Sequence, residues 1–222
     1  MIVHIPSLLV GEVLTDVQER ARGLAYEPGA KTAGWHARLV KSNMQAVASS
    51  ALRHVQDTIM TALSTHPVFS AMVLPRRIAP PLVSLSGIGE GYGTHIDDAI
   101  MGRASPLRTD VSITVFLSDP ADYDGGELVV ETLAGEETAK FAAGDAAVYP
   151  STTLHRVDPV TRGERLVAAT WAESRVRDAA CREALFDLER ARRQVFEQQG
   201  KCEAFDLISK TYANLLRRWA DV

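Results

Sequence analysis

Across residues 82–173 the chain breaks into about eight short β-type runs separated by glycine, aspartate and proline, with no helical period between them. Strands recurring at such short intervals, without crossover helices, specify antiparallel sheets closed into a sandwich or barrel such as a jelly roll. The runs cover 82–88, 94–97, 110–117, 127–132, 138–141, 146–149, 155–157 and 165–171. The breakers include Gly89-Glu90-Gly91, Asp119-Pro120, Asp124-Gly125-Gly126, Gly144-Asp145 and Arg162-Gly163. The Asp124-Gly125-Gly126 step reads as a hairpin turn.

On either side the period changes to helical. Met44, Val47, Ala51, Leu52, Val55, Ile59 and Leu63 recur in steps of three and four, which predicts a helix over 43–65. Ser42 or Asn43 would cap its start, and Pro67 lies just past its end. A shorter helix is expected over 14–24, before the turn Glu27-Pro28-Gly29. Beyond Val176 a helix over 178–199 ends at Gly200, and a second carries the stripe Phe205, Ile208, Tyr212, Leu215, Leu216 and Trp219. The expected fold is mainly β with flanking helices. It divides into an N-terminal helical segment (1–81) packing on the core, a jelly-roll core (82–175) and a C-terminal helical extension (176–222).

Charge narrows the function classes. The 24 basic and 28 acidic side chains give a net charge of −4, with no basic face suited to a phosphate backbone. No apolar run approaches the roughly 18 residues needed to span a bilayer. Glu12 and Asp16 interrupt any leader-like N-terminus, so a cytoplasmic location is expected. Cys181 and Cys202 lack a metal-site spacing and read as reduced thiols.

The chemistry-bearing feature is His95-Ile96-Asp97 with His155 downstream. On a strand, residues two apart project to one side, so imidazole and carboxylate would share the inner wall of the sandwich. A second histidine from another strand completes the two-histidine, one-carboxylate set of non-haem Fe(II) sites, which leaves coordination positions open. Arg165 follows ten residues after His155, on a run where Arg165, Val167, Ala169 and Trp171 share one face. Pointing inward, its guanidinium would need an anionic partner, and it fits a carboxylate bidentately. A dicarboxylic keto acid meets both demands, one end on the metal and the other on Arg165. His4, His36, His54 and His66 lie outside the β zone without ligand spacing, and Asp98 should point away from Asp97.

These residues sit in a longer set: Tyr92-Gly93-Thr94-His95-Ile96-Asp97, Arg108-Thr109-Asp110-Val111-Ser112, Tyr123-Asp124-Gly125-Gly126-Glu127-Leu128 and Leu154-His155-Arg156-Val157. Pro159-Val160-Thr161-Arg162-Gly163, Lys41-Ser42-Asn43 and the closing Leu215-Leu216-Arg217-Arg218-Trp219 extend it. The whole resembles the PKHD-type hydroxylases, Fe(II)/2-oxoglutarate-dependent relatives of the prolyl 4-hydroxylase catalytic domain. The resemblance implies a double-stranded β-helix, Fe(II) on His95, Asp97 and His155, 2-oxoglutarate on Arg165, dioxygen as co-substrate, and ascorbate as a reductant.

Prolyl-hydroxylase-like enzymes often carry a tyrosine ten residues before the first metal histidine, as a further 2-oxoglutarate anchor; that position here is Leu85. Tyr149 is the candidate replacement, and Tyr92 either lines the substrate entrance or packs beneath the loop. The expected activity is hydroxylation of a peptidyl or small-molecule substrate, an iron chelate among the options, with release of succinate and carbon dioxide. A cupin-like Lewis-acid enzyme and a ligand-responsive binding protein are the other two readings, and self-association through the C-terminal helices is open.

Overall fold

The computed structural model describes residues 2–31, 34–35, 37–102 and 105–221; His36 lies outside them. The N-terminal part runs β1 (Val3–Ile5), α1 (Gly11–Arg22), β2 (Tyr26–Pro28), β3 (Met44–Ala46), α2 (Ser50–Thr65), α3 (Pro67–Val73) and β4 (Pro75–Ile78). The β zone follows with β5 (Leu82–Ser86), β6 (Tyr92–His95), β7 (Ile100–Met101), β8 (Leu107–Arg108) and β9 (Val111–Phe116). It continues through β10 (Asp124–Gly125), β11 (Leu128–Thr132), β12 (Gly135–Ala139) and β13 (Ala146–Pro150). β14 (His155–Val157), β15 (Val160–Arg162) and β16 (Arg165–Ser174) complete it, ahead of α4 (Ala179–Gln199) and α5 (Glu203–Trp219).

Two antiparallel sheets face each other. The larger has the order β1-β13-β9-β16-β5-β3-β2, with β4 also pairing β16; the smaller is β12-β11-β14-β6. This is the jelly-roll arrangement that the short-strand pattern predicts. Alternation along each strand assigns the two faces of the large sheet. Val111, Ile113, Val115, Ala146, Val148, Leu166 and Ala168 point away from the small sheet, into a core shared with the helices. There α1 supplies Val17 and Ala21, α2 supplies Leu52, Val55, Ile59 and Leu63, and α3 supplies Phe69 and Val73. Each such fully buried aliphatic side chain contributes roughly 1.5–3 kcal/mol relative to exposure. The opposite face sends Phe116, Ala147, Tyr149 and Val167 against Leu128 and Val130 of the small sheet. That inter-sheet layer carries the site.

Two expectations need correction. The helix predicted from residue 43 begins at Ser50, where Ser49 accepts a hydrogen bond from the Leu52 amide. Met44–Ala46 form β3 instead, pairing with both β2 and β5, so tertiary strand pairing overrides a helical spacing that continued upstream by coincidence. Pro67 lies just past the end of α2, as the sequence predicts, and there it opens α3, capped by His66. In addition, residues 1–81 are not helical throughout, since β1 to β4 all join the large sheet.

At the C-terminus α4 starts at the Asp178 cap and ends at Gly200 as the sequence predicts. Buried Arg182 donates to the Val176, Arg177 and Asp110 carbonyls and so ties α4 to the sheet. Cys181 and Cys202 are free thiols. Among the described residues no helix is long and apolar enough to cross a membrane.

Candidate active site

His95 closes β6 and stands directly opposite His155, the first residue of β14. Both side chains are buried between the sheets. Each ring is oriented by its own local backbone: His95 Nδ1 bonds the Gly93 carbonyl at 2.8 Å, and His155 Nδ1 the Thr153 carbonyl at 3.2 Å. Those bonds put the proton on Nδ1 and leave the Nε2 lone pairs free. Nε2 of His95 lies 3.9 Å from one Asp97 oxygen, and Nε2 of His155 lies 3.7 Å from the other. The three donor atoms fall within 4.8 Å of one another, a grouping that could hold one metal ion.

Asp97 reaches this position by a different route from the one expected. β6 ends at His95, so strand alternation does not aim the carboxylate; it sits in the following loop. Its direction is set by Ser112 on β9, whose hydroxyl donates to Asp97 Oδ2 at 2.6 Å and contacts the Ser151 hydroxyl at 2.7 Å. The neighbouring Asp98 is exposed, and its carbonyl accepts from Thr109. Burial, then repulsion from His155, pushes the His95 imidazole down to about 4.

Arg165 opens β16 on the cavity face and is 3% exposed. Among the described residues no carboxylate lies within ion-pair distance of it, and both its Nε and the buried Tyr123 hydroxyl lack a hydrogen-bond partner. Burial lowers its pKa, partly offset by the phenols of Tyr123 and Tyr149. Room for the guanidinium stem comes from Gly126: at φ +68°, a Cβ there would fall 2.8 Å from Arg165 Cδ. The Asp124-Gly125-Gly126 step is therefore not the hairpin turn expected from the sequence: Asp124 and Gly125 form β10, paired with β15, and Gly126 after them clears space for a buried cation. Nothing in the local sequence marks Tyr123, Gly126 or Ser112 as site residues; their roles depend on pairing across the sandwich.

The two tyrosines also line the cavity. Tyr149 is buried on β13, edge-on to His155 at 5.2 Å, and burial pushes its phenol strongly up. Tyr92 stacks on His95 at 3.6 Å. Leu85 instead pairs with Leu166 and packs into the helix-facing core. Of the remaining histidines, His4 bonds Asp145, His54 bonds Asp16 and His66 caps α3.

Comparison with known proteins agrees with this geometry. Residues 82–173 match the 2OG-Fe(II) oxygenase superfamily, and residues 178–221 match the PKHD-type hydroxylase C-terminal domain. A PKHD-type hydroxylase of Colwellia psychrerythraea is 47% identical over 99% of each chain, and one of Gloeothece citriformis is 48% identical over 100% of each. Among solved structures, a Pseudomonas putida prolyl-4-hydroxylase superposes with a TM-score of 0.52 at 20% identity, covering 78% of this chain and 92% of that one. A 2OG-Fe(II) oxygenase family oxidoreductase of Burkholderia pseudomallei gives 0.58 at 19%, covering 78% and 84%. The buried His-Asp-His cluster, the jelly roll around it and near-half identity along the full length converge on one conclusion: the chain belongs to the PKHD-type hydroxylases, Fe(II)- and 2-oxoglutarate-dependent dioxygenases that hydroxylate their substrates.

Proposed function

We propose that His95, Asp97 and His155 hold Fe(II) and that Arg165 holds the far carboxylate of 2-oxoglutarate, so that the cavity between the sheets is the hydroxylation site. The observation that carries this reading is a three-donor cluster sharing a cavity with a buried, unpaired guanidinium. Two imidazole nitrogens and one carboxylate suit Fe(II) and leave positions for further ligands. A buried cation without a counter-ion calls for an anion, and a carboxylate matches its fork. Bound there, Fe(II) with 2-oxoglutarate and dioxygen supplies C–H hydroxylation with release of succinate and carbon dioxide.

The protein's own part is positioning. Gly93 and Thr153 fix the histidine tautomers, and Ser112 orients the carboxylate. Tyr149, beside Arg165 and His155, is assigned as the second 2-oxoglutarate anchor in place of the outward-facing Leu85. Tyr92, stacked over His95, lines the substrate side. Residues 82–175 form the oxygenase core, 1–81 pack around it and 176–222 append a helical extension. The reading extends to ascorbate as the reductant that maintains Fe(II), to a cytoplasmic setting, and to a peptidyl or small-molecule substrate.

Iron content and 2-oxoglutarate-dependent succinate release, measured on His95→Ala, test the assignment. Both should be lost. A variant with full turnover would overturn it.

A further inference from the structure

Lys41 is a charged cavity group to which the metal and co-substrate assignments give no task. It lies in the segment leading into β3, and a backbone bridge to Tyr92 brings it to the edge of the small sheet. Its side chain is half-buried, and its stem crosses Gly29, where a Cβ would come within 2.9 Å of Lys41 Cε. The ammonium stands 5.3 Å from the Tyr92 ring centre, and that ring stacks directly on His95. Among the described residues its ammonium donates one long hydrogen bond, 3.3 Å to the Gln45 amide oxygen. Among the described residues no carboxylate comes within ion-pair distance, and burial lowers its pKa while the field of Asp97 raises it.

The charges around the cavity do not balance. Among the described residues lining it, Lys41, Asp97 and Arg165 are the formally charged side chains, which sum to +1. This inference rests on the metal and co-substrate assignments above: a divalent cation and a dianionic keto acid cancel each other and leave that +1 in place. Arg165 has Tyr123 and Tyr149 as its polar neighbours, whereas Lys41 has Gln45, Tyr92 and Asp97, so the two cations serve different ends of the cavity. The buried Trp171 Nε1, which has no hydrogen-bond partner among the described residues, lines the same space. We propose that the hydroxylated substrate is a monoanion whose carboxylate docks on Lys41. A partly buried ammonium gains most from a charged oxygen acceptor, and a neutral substrate would leave it uncompensated.

Calorimetry on the full chain loaded with Mn(II) and 2-oxoglutarate tests this with a panel of monocarboxylates, including hippurate and N-acetyl amino acids, each set against its own primary carboxamide. In the wild type the best-bound acids should outbind their amides by about tenfold or more, which is about 1.4 kcal/mol. Lys41→Gln should bring acid and amide to near parity, and Lys41→Arg should keep the preference. Neither variant should alter 2-oxoglutarate affinity. Parity across the panel in a normally loaded wild type would overturn the proposal, as would a Lys41→Gln variant that loses 2-oxoglutarate instead of acid. The loading step is read first: failure to take up Mn(II) and 2-oxoglutarate would overturn the metal and co-substrate assignments, and this proposal with them.

Discussion

Replacing Arg165 with methionine separates what the guanidinium costs the fold from what it gives the co-substrate. The side chain is buried, with no carboxylate partner among the described residues. Burying an unpaired charge is penalised by several kcal/mol, so an apolar side chain of similar length should leave the ligand-free protein at least as stable. For 2-oxoglutarate the sign reverses. Removing one member of a buried, hydrogen-bonded charge pair costs about 2–5 kcal/mol, or roughly 30-fold to several-thousand-fold in affinity. Thermal melts with Mn(II) present read both effects. At about 100 times its Kd, 2-oxoglutarate should stabilise the wild type by about 2.7 kcal/mol, a shift of about 5–11 °C for a chain of this size. If Arg165→Met weakens binding about 100-fold, the same concentration only equals Kd and the shift shrinks to about 1–2 °C. A variant that keeps the full ligand-dependent shift, or whose ligand-free melting point falls by more than about 5 °C, would refute the reasoning.

Three further outcomes follow from the same geometry. Gly126→Ala puts a Cβ at positive φ and against Arg165 Cδ; it should cost about 1–2 kcal/mol in stability and raise the KM for 2-oxoglutarate, checked by melts and steady-state kinetics. Ser112→Ala removes the donor that aims Asp97; metal affinity, read by Mn(II) titration, should fall about 10- to 100-fold with the fold intact. In the metal-free protein His95 titrates at about 4 rather than its ordinary 6.5. The unfolded chain therefore binds more protons between those values, so stability should be full above about pH 6.5 and decline as pH falls towards about 4. Melts of His95→Gln should show less of that slope.

The sequence was most informative where one local rule decided the outcome. Alternation along β16 correctly grouped Arg165 with Val167, Ala169 and Trp171, all four of which line the cavity, because a ten-residue strand leaves little room for a register error. His155 opens its strand as the pattern predicted. Asp97 was found for a partly wrong reason, since the loop and Ser112 aim it rather than the strand. Met44–Ala46 was misread because three residues are too few to display a period of two, and its pairing partner β5 lies about forty positions away. Gly126, Tyr123 and Lys41 belong to the same class: each matters through a neighbour that folding alone supplies.

The way β1 and β3 are stitched into the large sheet bears on how this protein can be dissected. β1 covers the free side of β13, and β3 covers β5. A fragment trimmed to start at residue 82 would lose Lys41 and leave raw hydrogen-bonding margins on β13, on β5 and along the end of β16 that β4 covers. Uncapped strands of that kind recruit other chains. Such a truncation is expected to yield sticky, self-associating material instead of a minimal oxygenase, whatever donors it retains.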